Sequence, residues 1–161
     1  MRIGVVADTH SREIPQQLLK DFQNVDFIIH AGDFCSVNDL NVFKKIGEVK
    51  AVYGNMDEAP LRKMLPEREI IEIDGFRIGL YHGEGPPKKV IDYVREAFEG
   101  KKLDAVVFGH SHIAMNEKIN GTLYFNPGSP NDTITAPFCS YGILEIKKGA
   151  LVGIIIKIKD K

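Results

Sequence analysis

Cysteine is scarce: Cys35 and Cys139 are the only two in 161 residues. They form no C-x-x-C pair, which excludes a disulfide-framed fold and a thiolate zinc cage. Neither sign of charge is in surplus, with Lys plus Arg at 21, Asp plus Glu at 22 and a net charge of −1. Duplex nucleic acid and anionic membrane both require a clustered basic surface, so neither is an expected partner. Long hydrophobic runs are missing. The longest, Ala150 to Ile156, falls far short of the ~20 residues that span a bilayer. Asp8 and His10 interrupt the opening apolar stretch, so no secretory signal peptide is expected. A hydrophobic fraction of 43% and a charged fraction of 27% are ordinary for a folded chain and exclude disorder. The expectation is a cytoplasmic protein, with residues 1–161 forming one domain.

Short apolar runs mark buried strands at Ile3–Ala7, Phe27–Ile29, Ala51–Tyr53, Ile70–Ile73, Phe76–Tyr81 and Ala105–Phe108. Asp74-Gly75 and Asn120-Gly121 are hairpin dipeptides, because both residues of each tolerate positive φ. Lys148-Gly149 separates two further strands, Tyr141–Ile146 and the Ile-rich Leu151–Ile158. Helical spacing of apolar residues covers Ile14–Phe22, Val37–Ile46 (with Ser36 as N-cap) and Val90–Phe98. The order is βαβαβ, a hairpin, another β/α stretch, then late hairpins. That pattern predicts an α/β fold with a mixed, largely parallel sheet and a second sheet or antiparallel extension. The Leu151–Ile158 strand is expected in the core; left uncovered, its Ile-rich face would suit a homo-oligomer interface.

The chemistry sits in the segments just past the strands. Asp8-Thr9-His10, His30-Ala31-Gly32-Asp33, Gly54-Asn55-Met56-Asp57, His82-Gly83 and Gly109-His110-Ser111-His112 each come directly after an apolar run. In open α/β sheets the carboxyl ends of strands share one edge, where ligands bind. Imidazole nitrogen with carboxylate and amide oxygen suits Mn, Fe, Zn, Ni or Co. Asp8, His10, Asp33, Asn55, His82, His110 and His112 are too many donors for one ion. They suit two divalent transition-metal ions sharing a carboxylate, manganese being the first choice. His30, ending an apolar run, reads as a buried supporting histidine, Asp57 as a supporting or helix-terminal carboxylate, and Cys35 as packing.

The ordered blocks D-x-H, G-D, G-N-x-D, H-G and G-H-x-H, with Asn126-Pro127-Gly128-Ser129 behind them, resemble the calcineurin-like metallophosphoesterase family, in its compact bacterial and archaeal phosphodiesterase branch. The resemblance implies a four-layer α/β/β/α sandwich of two mixed sheets flanked by helices. It implies that Asp8, His10 and His112 hold one metal, that Asn55, His82 and His110 hold the other, and that Asp33 bridges. Two ions about 3.5–4 Å apart clamp a phosphoryl oxygen and lower the pKa of a shared water toward ~7. The implied reaction is in-line attack of that hydroxide on a small phosphodiester. Asn55 is then also a catalytic and substrate-binding residue. Arg12 is a candidate phosphate contact, against the plainer reading of an exposed loop arginine.

Two positions depart from the family. Many members carry G-N-H-[DE], the His serving the leaving group; here that position is Met56. Many also carry G-D-x-x-D, the second Asp orienting that His; here it is Ser36. The acid dyad is missing as a unit, which favours a diester with a good leaving group over a phosphomonoester or nucleotide. A third reading, a metal-binding interaction scaffold like the small retromer subunit, fits less well, because that branch lost part of the ligand set and this chain keeps all of it.

Overall fold

In the structure, a computed structural model describing residues 1–159, strands and helices alternate early and hairpins come later. The first stretch runs β1 (Arg2–Val6), α1 (Gln16–Phe22), β2 (Phe27–His30), α2 (Val37–Lys44), β3 (Val49–Ala51) and α3 (Ala59–Met64). A hairpin of β4 (Arg68–Ile73) and β5 (Phe76–Tyr81) precedes α4 (Val90–Ala97) and β6 (Ala105–Val107). Two hairpins complete the chain, β7 (Met115–Ile119) with β8 (Thr122–Asn126), and β9 (Ser140–Lys147) with β10 (Ala150–Lys157). One sheet has the order β10-β9-β1-β2-β3, the other β4-β5-β6-β8-β7. Both are mixed: β1, β2 and β3 pair in parallel, as do β5, β6 and β8, and the remaining pairings are antiparallel.

Alternation along the strands builds three apolar layers. Ile3, Val5, Phe27 and Ile29 of the first sheet meet Ile78, Leu80, Val107 and Phe125 of the second. The opposite face of the first sheet, with Val6, Ile28 and Ile143, lies under Leu18 and Phe22 of α1, Leu40 and Phe43 of α2, and Leu61 of α3. Val90 and Val94 of α4 cover Val106 and Tyr81 of the second sheet. The result is the expected α/β/β/α sandwich. Each fully buried Leu, Ile or Phe contributes about 1.5–3 kcal/mol of transfer free energy.

Local chemistry sets the element ends. At α2 the Ser36 hydroxyl accepts from the Asp39 backbone N–H while the Asp39 carboxylate accepts from the Ser36 N–H, a reciprocal cap. Asp74-Gly75, Asn120-Gly121 and Lys148-Gly149 all adopt paired positive φ, the two-residue hairpin geometry. The first helix begins at Gln16 rather than Ile14, because Pro15 is the extended N-cap. Strand β3 lies two residues earlier than the apolar run suggests, since Tyr53 already turns to bond the Pro66 carbonyl. Helix α3 went unread: it has six residues, of which only Leu61 is buried. Strand β10 is an edge, with Leu151 and Ile155 packed inward and Val152 and Ile154 exposed.

Candidate metal centre

The five motif blocks meet at the carboxyl ends of β1, β2, β3, β5 and β6. Parallel pairing continues beyond the strands: Asp8 N–H donates to the Gly32 carbonyl and His10 N–H to that of Asp33, both at 3.0 Å. Gly109 N–H donates to the His82 carbonyl at 3.0 Å, joining the β5 and β6 loops. Glycine is required where these loops cross. A Cβ on Gly32 would lie 2.8 Å from Gly54 N and from His82 Nδ1, and one on Gly54 would collide with the Asp33 carboxylate. Asp8, His10, Asp33, His110 and His112 all hold left-handed backbone, with φ of 56°, 47°, 60°, 68° and 60°. Such residues cost of order 1–3 kcal/mol each and gather where function holds them.

The donor atoms converge. His10 Nε2 and His112 Nε2 are 3.1 Å apart, and Asp8 Oδ1 lies 3.8 Å from the first and 3.6 Å from the second. Asp33 Oδ2 is 3.2 Å from His82 Nε2 and 3.7 Å from His10 Nε2. Asn55 Oδ1 is 3.1 Å from both His82 Nε2 and His110 Nδ1. Asp8 also reaches the second group, 3.8 Å from His82 Nε2. The sets Asp8–His10–His112 and Asp8–Asp33–His82 each offer ligand atoms mutually within 4.8 Å. All seven sequence-derived donors are therefore in one cluster. Arg12 lies at its margin, exposed, lining a cavity with His10 and His112 and donating to the Asn131 carbonyl at 3.1 Å.

A surrounding set of hydrogen bonds turns these atoms inward. His82 Nδ1–H donates to the Ala31 carbonyl at 2.7 Å and His110 Nε2–H to that of Gly85 at 2.9 Å, so each ring aims its other nitrogen at the cluster. His112 Nδ1–H donates to Asp132 Oδ2 at 2.6 Å, which directs Nε2 inward. Asp57, nearly buried, accepts from the backbone N–H groups of Asp33, Gly54 and Cys35 at 3.0, 2.7 and 2.7 Å, and so shapes the loop that presents Asp33. His30 accepts from Gly32 N–H and donates to the Thr9 hydroxyl, both at 3.1 Å, and stacks on Phe34. Ser129 donates to the Asp8 carbonyl at 2.8 Å and Asn126 to that of Gly109 at 3.0 Å. Sequence reading missed Asp132. Its partner His112 lies twenty residues upstream across the β7–β8 hairpin, and no spacing rule links them.

Electrostatics show what the cluster suits. Burial pushes the Asp8 carboxyl up to about 6 against the opposing charges of His82 and His112. Burial acts to lower His82, but its bond to Asp33 and the charges of Asp8 and Asp33 outweigh this and raise it to about 9. His10 and His110 are lowered, chiefly by burial. Among the described residues, Asp8 Oδ1 is buried without a hydrogen-bond partner. A buried anionic oxygen facing imidazole nitrogens fits a cation, and the borderline N/O donor set fits a divalent transition metal. Burial and the Asp33 and Asp57 carboxylates push the Cys35 thiol up.

These shifts couple stability to pH. Protonated His82 stabilises the metal-free chain below its ordinary 6.5, and this is lost as pH climbs toward about 9. Asp8, raised from 3.8 to about 6, adds a charging cost that sets in over that range and persists above it. Both signs agree. In chelator, the melting temperature is therefore expected to fall between pH 7 and pH 9, as the His82 contribution of up to about 3 kcal/mol is lost. Divalent metal competes with the proton for the same atoms, so its stabilisation is expected to be larger at pH 8.5 than at pH 6. Metal stabilisation independent of pH would contradict the assignment.

The sequence profile of the calcineurin-like phosphoesterase superfamily domain matches residues 1–149. The chain belongs to that superfamily and is, by class, a metal-dependent phosphoesterase. It is 37% identical over 145 residues to a probable metallophosphoesterase of Methanocaldococcus jannaschii, covering 86% of this chain and 71% of that protein. An archaeal phosphodiesterase structure is similar at TM-score 0.75 and 26% identity, covering 97% of this chain and 100% of the other. Wild-type Vps29 of Entamoeba histolytica, solved with Zn²⁺, matches at TM-score 0.74 and 25% identity over 98% of this chain and 99% of that one.

Proposed function

We propose that this chain is a dinuclear-metal phosphodiesterase acting on a small phosphodiester. The carrying observation is the placement of Asp33, whose Oδ2 faces His82 on one side and His10 on the other while Oδ1 accepts from Met56 N–H at 2.9 Å. In this reading Asp8, His10 and His112 would hold one ion and Asn55, His82 and His110 the other, with Asp33 a ligand to both. Two divalent ions, when bound, supply Lewis-acid charge to a phosphoryl oxygen and lower the pKa of nearby water. Manganese is the first metal to test, then Ni, Fe, Zn and Co.

The chain's own residues do the rest. Ala31, Gly85 and Asp132 hold three histidine rings so that their inward nitrogens need no reorganisation. Asn55 turns its carbonyl oxygen toward His82 and His110, which leaves its amide N–H₂ to donate to a phosphoryl oxygen. Arg12 spends one bond on Asn131 and keeps guanidinium donors for a phosphate oxygen. A monoanionic diester needs less neutralisation than a dianionic monoester, and no His stands at position 56 to serve a poor leaving group. The archaeal phosphodiesterase neighbour supports the diester reading. Retention of every donor favours hydrolysis over a scaffold role.

The test is the purified chain reconstituted with each metal and assayed on bis(4-nitrophenyl) phosphate and 4-nitrophenyl phosphate, alongside metal analysis. Two ions per chain and faster diester turnover are expected. One ion at saturation, or turnover of the monoester alone, would overturn the proposal.

A further inference from the structure

Two of the large apolar side chains that remain exposed stand beside the metal centre. Met56 is 57% exposed and Ile134 is 83% exposed. Both line one cavity of about 410 Å³ together with His10, Arg12, Cys35 and His112. Neither belongs to a free loop tip. Met56 N–H donates to Asp33 Oδ1 at 2.9 Å. Ile134 N–H donates to Asp132 Oδ1 at 2.9 Å, and the other oxygen of that carboxylate accepts from His112 Nδ1–H. Each apolar side chain is thus tied, through its own backbone, to a carboxylate of the centre or of its supporting shell. Exposed apolar surface fixed beside polar catalytic groups is the usual make-up of a ligand subsite.

We propose that Met56 and Ile134 hold an aromatic or heteroaromatic ring carried by the phosphodiester. This rests on the phosphodiesterase reading and narrows its substrate class to aryl or nucleoside-bearing diesters. A thioether and a branched alkyl group suit a flat ring, since methionine sulfur contacts aromatic edges favourably. The rest of the lining decides against a lipid chain. His10, Arg12, Cys35, His112, Asp132 and Thr135 leave apolar contact for one ring, not for a long alkyl tail.

Calorimetric binding of dimethyl phosphate and of diphenyl phosphate to the metal-loaded protein tests this without relying on turnover. Diphenyl phosphate is expected to bind about tenfold more tightly, a gain of the size that one sulfur–aromatic contact with apolar burial supplies. In Met56→Ser, Ile134→Ser and the double variant, the ratio of the two affinities is expected to fall toward one. Both positions are exposed, and metal content with melting temperature verifies folding. Equal affinities in the wild type, or a ratio unchanged in the double variant, would overturn the ring subsite. Bis(4-nitrophenyl) phosphate turnover would meanwhile leave the phosphodiesterase reading standing, so the two failures are separable.

Discussion

Asp33→Asn is expected to lower kcat/KM by on the order of 10²–10³-fold or more at saturating metal, the range for removing a principal charge-stabilising group. The amide is isosteric and its oxygen can still accept from Met56 N–H, so the loop keeps its shape. The change removes the anionic oxygen that faces both His82 and His10. Metal analysis is expected to show fewer than two ions per chain, and His82 loses one of the two carboxylates that raise its pKa. Single replacement of His10 or His110 by Ala removes a ligand from one side only, and a smaller loss is expected. Near wild-type turnover of Asp33→Asn with two bound ions would exclude a shared role for this carboxylate.

A steep dependence of rate on leaving-group pKa is the second large effect. General acid catalysis typically supplies ~10²–10⁴-fold, and four positions beside the centre are not placed to supply it. The Met56 side chain occupies the position where many relatives carry His, and Ser36 is committed to capping α2. His30 has both ring nitrogens engaged and is held neutral by burial. The Asp57 carboxylate is occupied by three backbone N–H groups. Aryl diesters are therefore expected to outpace alkyl diesters by a wide margin, read as a steep Brønsted slope across a graded series. Met56→His is expected to flatten the slope and to raise turnover of alkyl diesters about tenfold or more, with Met56→Leu as the control. Restoring the dyad through Ser36→Asp is a poor test. Ser36 Oγ donates to Asp39 Oδ2 at 2.5 Å, so a carboxylate at position 36 would lose that bond and set two like charges against each other at the start of α2. A flat slope in the wild type would show that another group donates the proton.

Much of this was legible along the chain because it is local. Each donor-bearing block comes after an apolar run, and a buried strand must end in a loop at the sheet edge. The hairpins at Asp74-Gly75 and Asn120-Gly121 arise from residues that accept positive φ. Boundaries fared worse where a single long-range bond decided them, as when Tyr53 N–H turned to Pro66 and ended β3 at Ala51. Helix α3 stayed hidden because one buried leucine is no periodic signal.

The missing acid at Met56 was read through the family resemblance; the sequence by itself determined the strand–helix alternation, the seven candidate donors just past the strands and the supporting places of His30 and Asp57. These rest on residue type and neighbour spacing, which the chain displays directly. Tertiary structure alone decided which oxygen does what. It turned Asp33 Oδ1 to a backbone N–H and left Oδ2 facing two histidines, and it left Asp8 Oδ1 buried without a partner. It also brought Asp132 to His112 and set Met56 and Ile134 around one cavity. The physical reason is that hydrogen bonds and burial act over a few ångströms in space. Residues far apart in the chain meet only when two sheets pack face to face and their loops crowd one edge.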